Sequence, residues 1–177
     1  MDIPNWQKAA SFAARCHQHQ LRKDGKTPYM AHPFRVAMAV RDVFGCDDRV
    51  AICCALLHDT IEDTPTDYDD IHRRFGEDVA VCVAAMTKNM LLKEDEREPE
   101  YDARLASAPW QARLVKLADV FDNGHDMTKT MRPARHIERC ERALALTEPD
   151  ADRPYFGIAR EQVRALLAHL KGRDTTH

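Results

Sequence analysis

An almost wholly apolar run, Ile52 to Leu57, leads directly into His58, Asp59, Glu62 and Asp63 within A-L-L-H-D-T-I-E-D-T. At helical spacing, residues i, i+1, i+4 and i+5 share one face. A run that apolar belongs in a core, so the four protonatable side chains emerge at the end of a buried helix. Packing three carboxylates and an imidazole together is costly unless a cation sits among them. The segment therefore implies a helical scaffold carrying a metal site with acid–base groups beside it.

The rest of the chain is helical in pattern and shows no sustained alternation of apolar and polar residues that would indicate a strand. Residues 5–20 place Trp6, Ala9, Phe12, Ala13 and Cys16 at helical spacing, and 33–44 open on Pro33 and present Val36, Val40 and Phe44. Asp47 or Asp48 caps a helix that runs to Thr64, where Pro65 stops it. Thr66 to Asp69 resembles a capping box opening a short helix that ends at Gly76, and 77–88 continue the pattern. Lys93 to Glu100 is nearly all charge and reads as a solvated loop or helix face. Helices follow over 109–124, 134–147 (after a polar stretch around Arg132-Pro133) and 155–171. The expectation is an all-α, compact bundle of about eight helices, with residues 1–177 forming one domain.

Composition narrows the function. Net charge is −3 and the basic residues are dispersed, which argues against a nucleic-acid surface and leaves room for a small anionic ligand. Nothing approaches ~18 consecutive apolar residues, so no membrane span is expected. The start, Met1-Asp2-Ile3-Pro4-Asn5, lacks the basic and apolar regions of a signal peptide. Six cysteines without C-x-x-C spacing read as reduced core or near-core residues of a cytoplasmic protein. The number of copies in the assembly is left open.

Imidazole and carboxylate ligands suit borderline-to-hard divalent ions such as Mn, Fe, Zn or Mg. His58 and Asp59 are adjacent in sequence, so further ligands must come from elsewhere. One candidate is His32 in P-Y-M-A-H-P, where Pro33 is expected to hold His32 out of helical geometry and so fix its ring. Another is Asp119, an acid inside the apolar run L-V-K-L-A-D, with Asn123 one turn later on the same face.

Together, R-K-D-G-K-T-P-Y-M-A-H-P (22–33), A-L-L-H-D-T-I-E-D-T (55–64), F-G-E-D-V-A (75–80) and L-V-K-L-A-D-V-F-D-N (114–123) resemble the HD-domain phosphohydrolases. In order and spacing they are similar to the hydrolase domain of the RelA/SpoT homologues, which remove the 3′-pyrophosphate of the alarmone (p)ppGpp. The chain looks like a stand-alone small alarmone hydrolase. The resemblance implies an HD-domain helical bundle with His32, His58, Asp59 and Asp119 around one divalent ion, usually Mn²⁺. It further implies Glu62 and Asp63 as the catalytic acid–base pair, and Arg22, Lys23 and Asn123 as substrate-binding residues on the nucleoside side. Tyr29 is expected to pack the loop. The implied reaction is hydrolysis of ppGpp to GDP and pyrophosphate, with pppGpp giving GTP.

Two departures bear on the substrate. Relatives follow the asparagine with a bulky apolar residue and then arginine, whereas this chain has Asn123-Gly124-His125, with His125 as a partial substitute for the lost charge. The stretch between Lys88 and Trp110 is shorter and more acidic than in relatives, leaving Lys88, Arg97 and Arg104 as substitutes for the basic residues that often hold pyrophosphate. Alternatives are therefore an HD-domain hydrolase of another nucleotide, such as (p)ppApp or a 3′-phosphorylated nucleotide, or a sensor that binds a nucleotide without cleaving it. Substituting Asp59→Ala is expected to abolish metal uptake and turnover together, which calorimetric titration beside a hydrolysis assay checks.

Overall fold

Apolar residues recur at helical spacing along most of the sequence, and the computed structural model, which describes residues 5–126 and 133–174, answers that pattern with helices. The first four residues and Arg132 lie outside the described residues. In chain order the helices are α1 (Asn5–Cys16), α2 (Ala31–Met38), α3 (Arg49–Leu57), α4 (Thr60–Asp63), α5 (Tyr68–Phe75), α6 (Glu77–Met86), α7 (Glu94–Ser107), α8 (Trp110–His125), α9 (Ala134–Leu146) and α10 (Phe156–Asp174). A π-helical turn, Ala39–Val43, extends α2. Among the described residues the only β pairing is an isolated bridge between Leu21 and Pro28.

Helix α8 is the axis of the bundle. It buries Ala112, Leu114, Val115, Leu117, Ala118 and Val120, and α2, α3, α9 and α10 all pack on it. Helix α3 is almost as enclosed, sandwiched by α1, α2, α6 and α8. Its start is set by Asp48, whose carboxylate accepts the Ala51 N–H at 2.8 Å. Helix α5 is capped by Asp67 rather than Thr66, and it ends at Gly76, whose φ of +89° suits glycine.

Three sequence expectations are refined here. The helix from Asp48 does not run unbroken to Thr64: α3 ends at Leu57, His58 and Asp59 form a turn, and α4 resumes at Thr60. His32 is not held outside the helix by Pro33, because α2 begins at Ala31 and both residues lie in its first turn. A proline is tolerated there, since first-turn N–H groups lack intrahelical partners in any case. The charged stretch from Lys93 proves to be a helix face: α7 turns Tyr101 and Leu105 inward, exposes Glu94, Asp95 and Glu96, and pairs the part-buried Glu98 with Lys88 and Arg142. The eight expected segments are all present, and α4 and α7 are the additions among the described residues.

The glycine after Asn123 also has a packing reason. A Cβ on Gly124 would meet the Cδ2 atom of Leu166 at 2.5 Å, so α10 already fills the space a larger residue would take. We expect Gly124→Leu to cost about 1–3 kcal/mol through overpacking. The urea unfolding midpoint reports it, and an unchanged midpoint would mean that α10 yields freely.

Candidate metal centre

The turn at the end of α3 explains how consecutive residues aim at one point. The Nδ1–H of His58 donates to the Ala55 carbonyl at 2.9 Å, which leaves Nε2 with its lone pair facing the cleft. That Nε2 is buried and has no hydrogen-bond partner. An unpartnered buried nitrogen is costly, and it is what a metal ligand looks like without its ion. Asp59 follows immediately, with its Oδ1 3.2 Å from His58 Nε2.

Two other helices supply the remaining donors. From α2, His32 directs its Nε2 to 3.6 Å from Asp59 Oδ2 and 3.4 Å from Asp119 Oδ1. From α8, Asp119 places that same Oδ1 3.9 Å from His58 Nε2. Ligand atoms bound to a divalent ion at about 2.0–2.2 Å lie roughly 3–3.5 Å from one another, so this spacing fits one ion. His32, His58 and Asp59 could hold it, and Asp119 faces the same point. The donor set, two imidazoles and two carboxylates, suits a borderline-to-hard cation.

Neighbours fix each donor. His32 Nδ1 donates to Asp122 Oδ2 at 2.6 Å. Asp119 accepts from Lys116 Nζ at 2.9 Å and from Asn123 Nδ2 at 2.5 Å. The Tyr29 hydroxyl lies 2.7 Å from Asp59 Oδ2 and 2.9 Å from Asp63 Oδ2, so Tyr29 joins a candidate ligand to a candidate acid as well as packing its loop. Glu62 accepts the Lys88 backbone N–H at 2.7 Å.

The electrostatics follow. Burial opposes the charge on Asp119, yet Lys116, His32 and His58 hold its carboxyl well below 3.8. Burial likewise disfavours a charged His32, but Asp119 and Asp122 outweigh it and raise the imidazole to about 9. Glu62 moves the other way: burial raises it above the ordinary 4.5, against the Lys88 N–H that lowers it. Burial and the neighbouring Asp59 raise Asp63 too. Two carboxyls shifted toward neutrality beside a set of metal donors are suited to taking up and releasing protons.

These groups share a cleft of about 240 Å³ with several basic residues. Arg22, Lys23, Glu62, Asp63 and Asn123 all line it. Arg22 is tied down rather than free: its Nε donates to Asp126 at 2.9 Å and its Nη2 to Asn123 Oδ1 at 2.9 Å. Of the three basic residues considered for phosphate, only Lys88 reaches the cleft. Arg104 instead donates to the Thr87 carbonyl, and Arg97 lies beside Glu98. His125 does not replace the missing arginine; it is exposed and packs edge-on against Phe121. Sequence reasoning missed Lys116 and Arg139, which also line the cleft. Lys116 stands three residues before Asp119 in an apolar helix, a signal that could have been read, whereas Arg139 arrives from α9 with no local signature.

Because His32 is raised above 6.5, its charged form stabilises the metal-free fold fully below pH 6.5, and that contribution disappears as the pH climbs through about 9. Protein kept in chelator should therefore lose urea resistance over that interval. A midpoint that stays flat there would show that the imidazole is neutral in the folded state.

Comparison with known proteins identifies the chain's relatives. A profile described as HD domain matches residues 9–145. The guanosine-3′,5′-bis(diphosphate) 3′-pyrophosphohydrolase MESH1 of Xenopus tropicalis is 40% identical over 123 residues, covering 69% of each chain. Its Homo sapiens counterpart matches to the same extent. A solved structure described as a metazoan ortholog of SpoT superposes with a TM-score of 0.81 over 96% of this chain and 97% of that one, at 24% identity. The matched profile spans α2, α3 and α8, the three helices that bring the donors together, and on that footing the chain belongs to the HD domain family.

Proposed function

We propose that the protein is a metal-dependent 3′-pyrophosphohydrolase of guanosine alarmones, converting ppGpp and water to GDP and pyrophosphate, and pppGpp to GTP and pyrophosphate. The observation that carries the reading is the convergence of His32, His58, Asp59 and Asp119, with Glu62 and Asp63 one turn beyond, in a cleft also lined by Lys88, Lys116 and Arg139. The names of the MESH1 relatives support the substrate.

In this reading His32, His58, Asp59 and Asp119 hold one Mn²⁺ ion. When bound, the ion supplies Lewis-acid polarisation of the phosphate and lowers the pKa of water. Glu62, oriented by the Lys88 N–H and raised by burial, receives the proton of the attacking water. Asp63 shares the Tyr29 hydroxyl with Asp59 and keeps the acid pair in register with the ligands. Lys88, Lys116 and Arg139 offset the charge of the 3′-diphosphate as it separates. Lys23 and Asn123, with Arg22 held beside Asn123, form the nucleoside side. The chain acts as one domain in the cytoplasm. There a reducing environment suits its six free cysteines, five of them buried.

Incubating Mn²⁺-loaded protein separately with ppGpp and with pppApp, and separating the products by chromatography, tests the proposal. Pyrophosphate with GDP from ppGpp is the expected result. Cleavage of pppApp alone, orthophosphate in place of pyrophosphate, or binding without turnover each overturns it. Glu62→Gln should retain Mn²⁺ affinity while kcat falls about 10²–10⁴-fold, the usual worth of a general base. Undiminished turnover would remove Glu62 from the chemistry.

A further inference from the structure

Asp122 sits apart from the cleft yet governs one of its donors. It is buried, it lines no part of the cleft wall, and its carboxylate is fully engaged. Oδ2 accepts His32 Nδ1 at 2.6 Å. Oδ1 accepts Arg35 Nε at 2.6 Å, and Oδ2 also accepts Arg35 Nη2 at 3.0 Å, a two-pronged pairing that fixes the plane of the carboxylate. An imidazole whose Nδ1–H faces a carboxylate presents its Nε2 lone pair on the opposite side, here toward Asp59 and Asp119. Flipping the ring would cost Asp122 Oδ2 its shorter hydrogen bond and leave only Arg35 Nη2 on that oxygen, so the alternative orientation is disfavoured.

The linkage continues beyond this pair. Arg35 Nη2 also lies 3.0 Å from Asp126 Oδ2, which accepts Arg22 Nε. Arg22 Nη2 donates to Asn123, and Asn123 Nδ2 donates to Asp119. His32 and Asp119 are thus joined through Asp122, Arg35, Asp126, Arg22 and Asn123 in one loop of side chains.

We propose that Asp122 and Arg35 are positioning residues that preset His32 for the metal: Asp122 selects its tautomer and ring orientation, and Arg35 holds Asp122 in place. The inference rests on the metal-binding reading above and goes beyond it, since neither residue contacts the ion or the cleft. A carboxylate behind a ligating histidine typically changes metal affinity about 10–100-fold.

The test is Mn²⁺ titration calorimetry on Asp122→Ala, Arg35→Ala and Arg35→Lys. A second readout is the nitrogen-15-edited spectrum of the Zn²⁺-loaded proteins, in which a hydrogen-bonded His32 Nδ1–H gives a downfield proton. Asp122→Ala should bind Mn²⁺ about 10–100-fold more weakly and lose that proton. Arg35 is 37% exposed in its side chain, so Arg35→Ala stays folded should Asp122→Ala fail to. It should weaken Mn²⁺ binding by roughly tenfold, with Arg35→Lys recovering part of the loss. Affinities within twofold of the unsubstituted protein, with the downfield proton intact in Arg35→Ala, overturn the assignment while the metal reading stands. An unsubstituted protein that takes up neither ion brings down both.

Discussion

Carboxylates drawn out of water toward a common point repel one another and lose hydration, and the arrangement survives because positive charge is placed against each of them. Asp119 shows the balance most clearly. It is held ionised among apolar neighbours by Lys116 on one oxygen and by two imidazoles facing the other. Asp122 repeats the device with His32 and Arg35. Remove the cations from either site and the acid would take up a proton, because an unpaired buried carboxylate is far costlier than a neutral one.

The helices make that balance possible by dividing the work. Helix α8 is packed into the core along most of its surface and reserves one arc for Lys116, Asp119 and Asn123, with Asp122 buried beside it. A helix that is both structural axis and chemical rail holds its polar groups rigidly, since every core contact resists their displacement. Helix α3 does the reverse. It is buried along its length and delivers chemistry only where it stops, at the His58-Asp59 turn, and the break lets neighbouring residues converge.

Within the cleft the two signs are interleaved. Glu62, Asp63, Asp59 and Asp119 line it together with Lys88, Lys116 and Arg139, and Lys116 touches Asp119 directly. A polyanion entering the cleft would meet cations and carboxylates together, so a divalent ion among the carboxylates is required for the cleft to favour it. This dependence accounts for the coexistence of a net negative chain and an anionic substrate in the proposed reaction.

The candidate ligands could be picked out because protonatable side chains at the end of an apolar run are chemically expensive, although the turn at His58-Asp59, and not the unbroken helix expected, is what directs them. The helical class followed from apolar residues at helical spacing, as did the burial of the cysteines. Local signals misled where tertiary contacts override them. Pro33 did not exclude His32 from α2, and the helix through His58 broke where continuity was expected. What the chain alone determined is its helical class and a short list of chemically expensive residues, since both depend on local periodicity and side-chain type. The tertiary structure decided which of those residues meet, that Asp122 stands behind His32 and Arg139 reaches the cleft while His125 does not. Such meetings depend on how separate helices pack, and no local spacing encodes a contact between residues 90 positions apart.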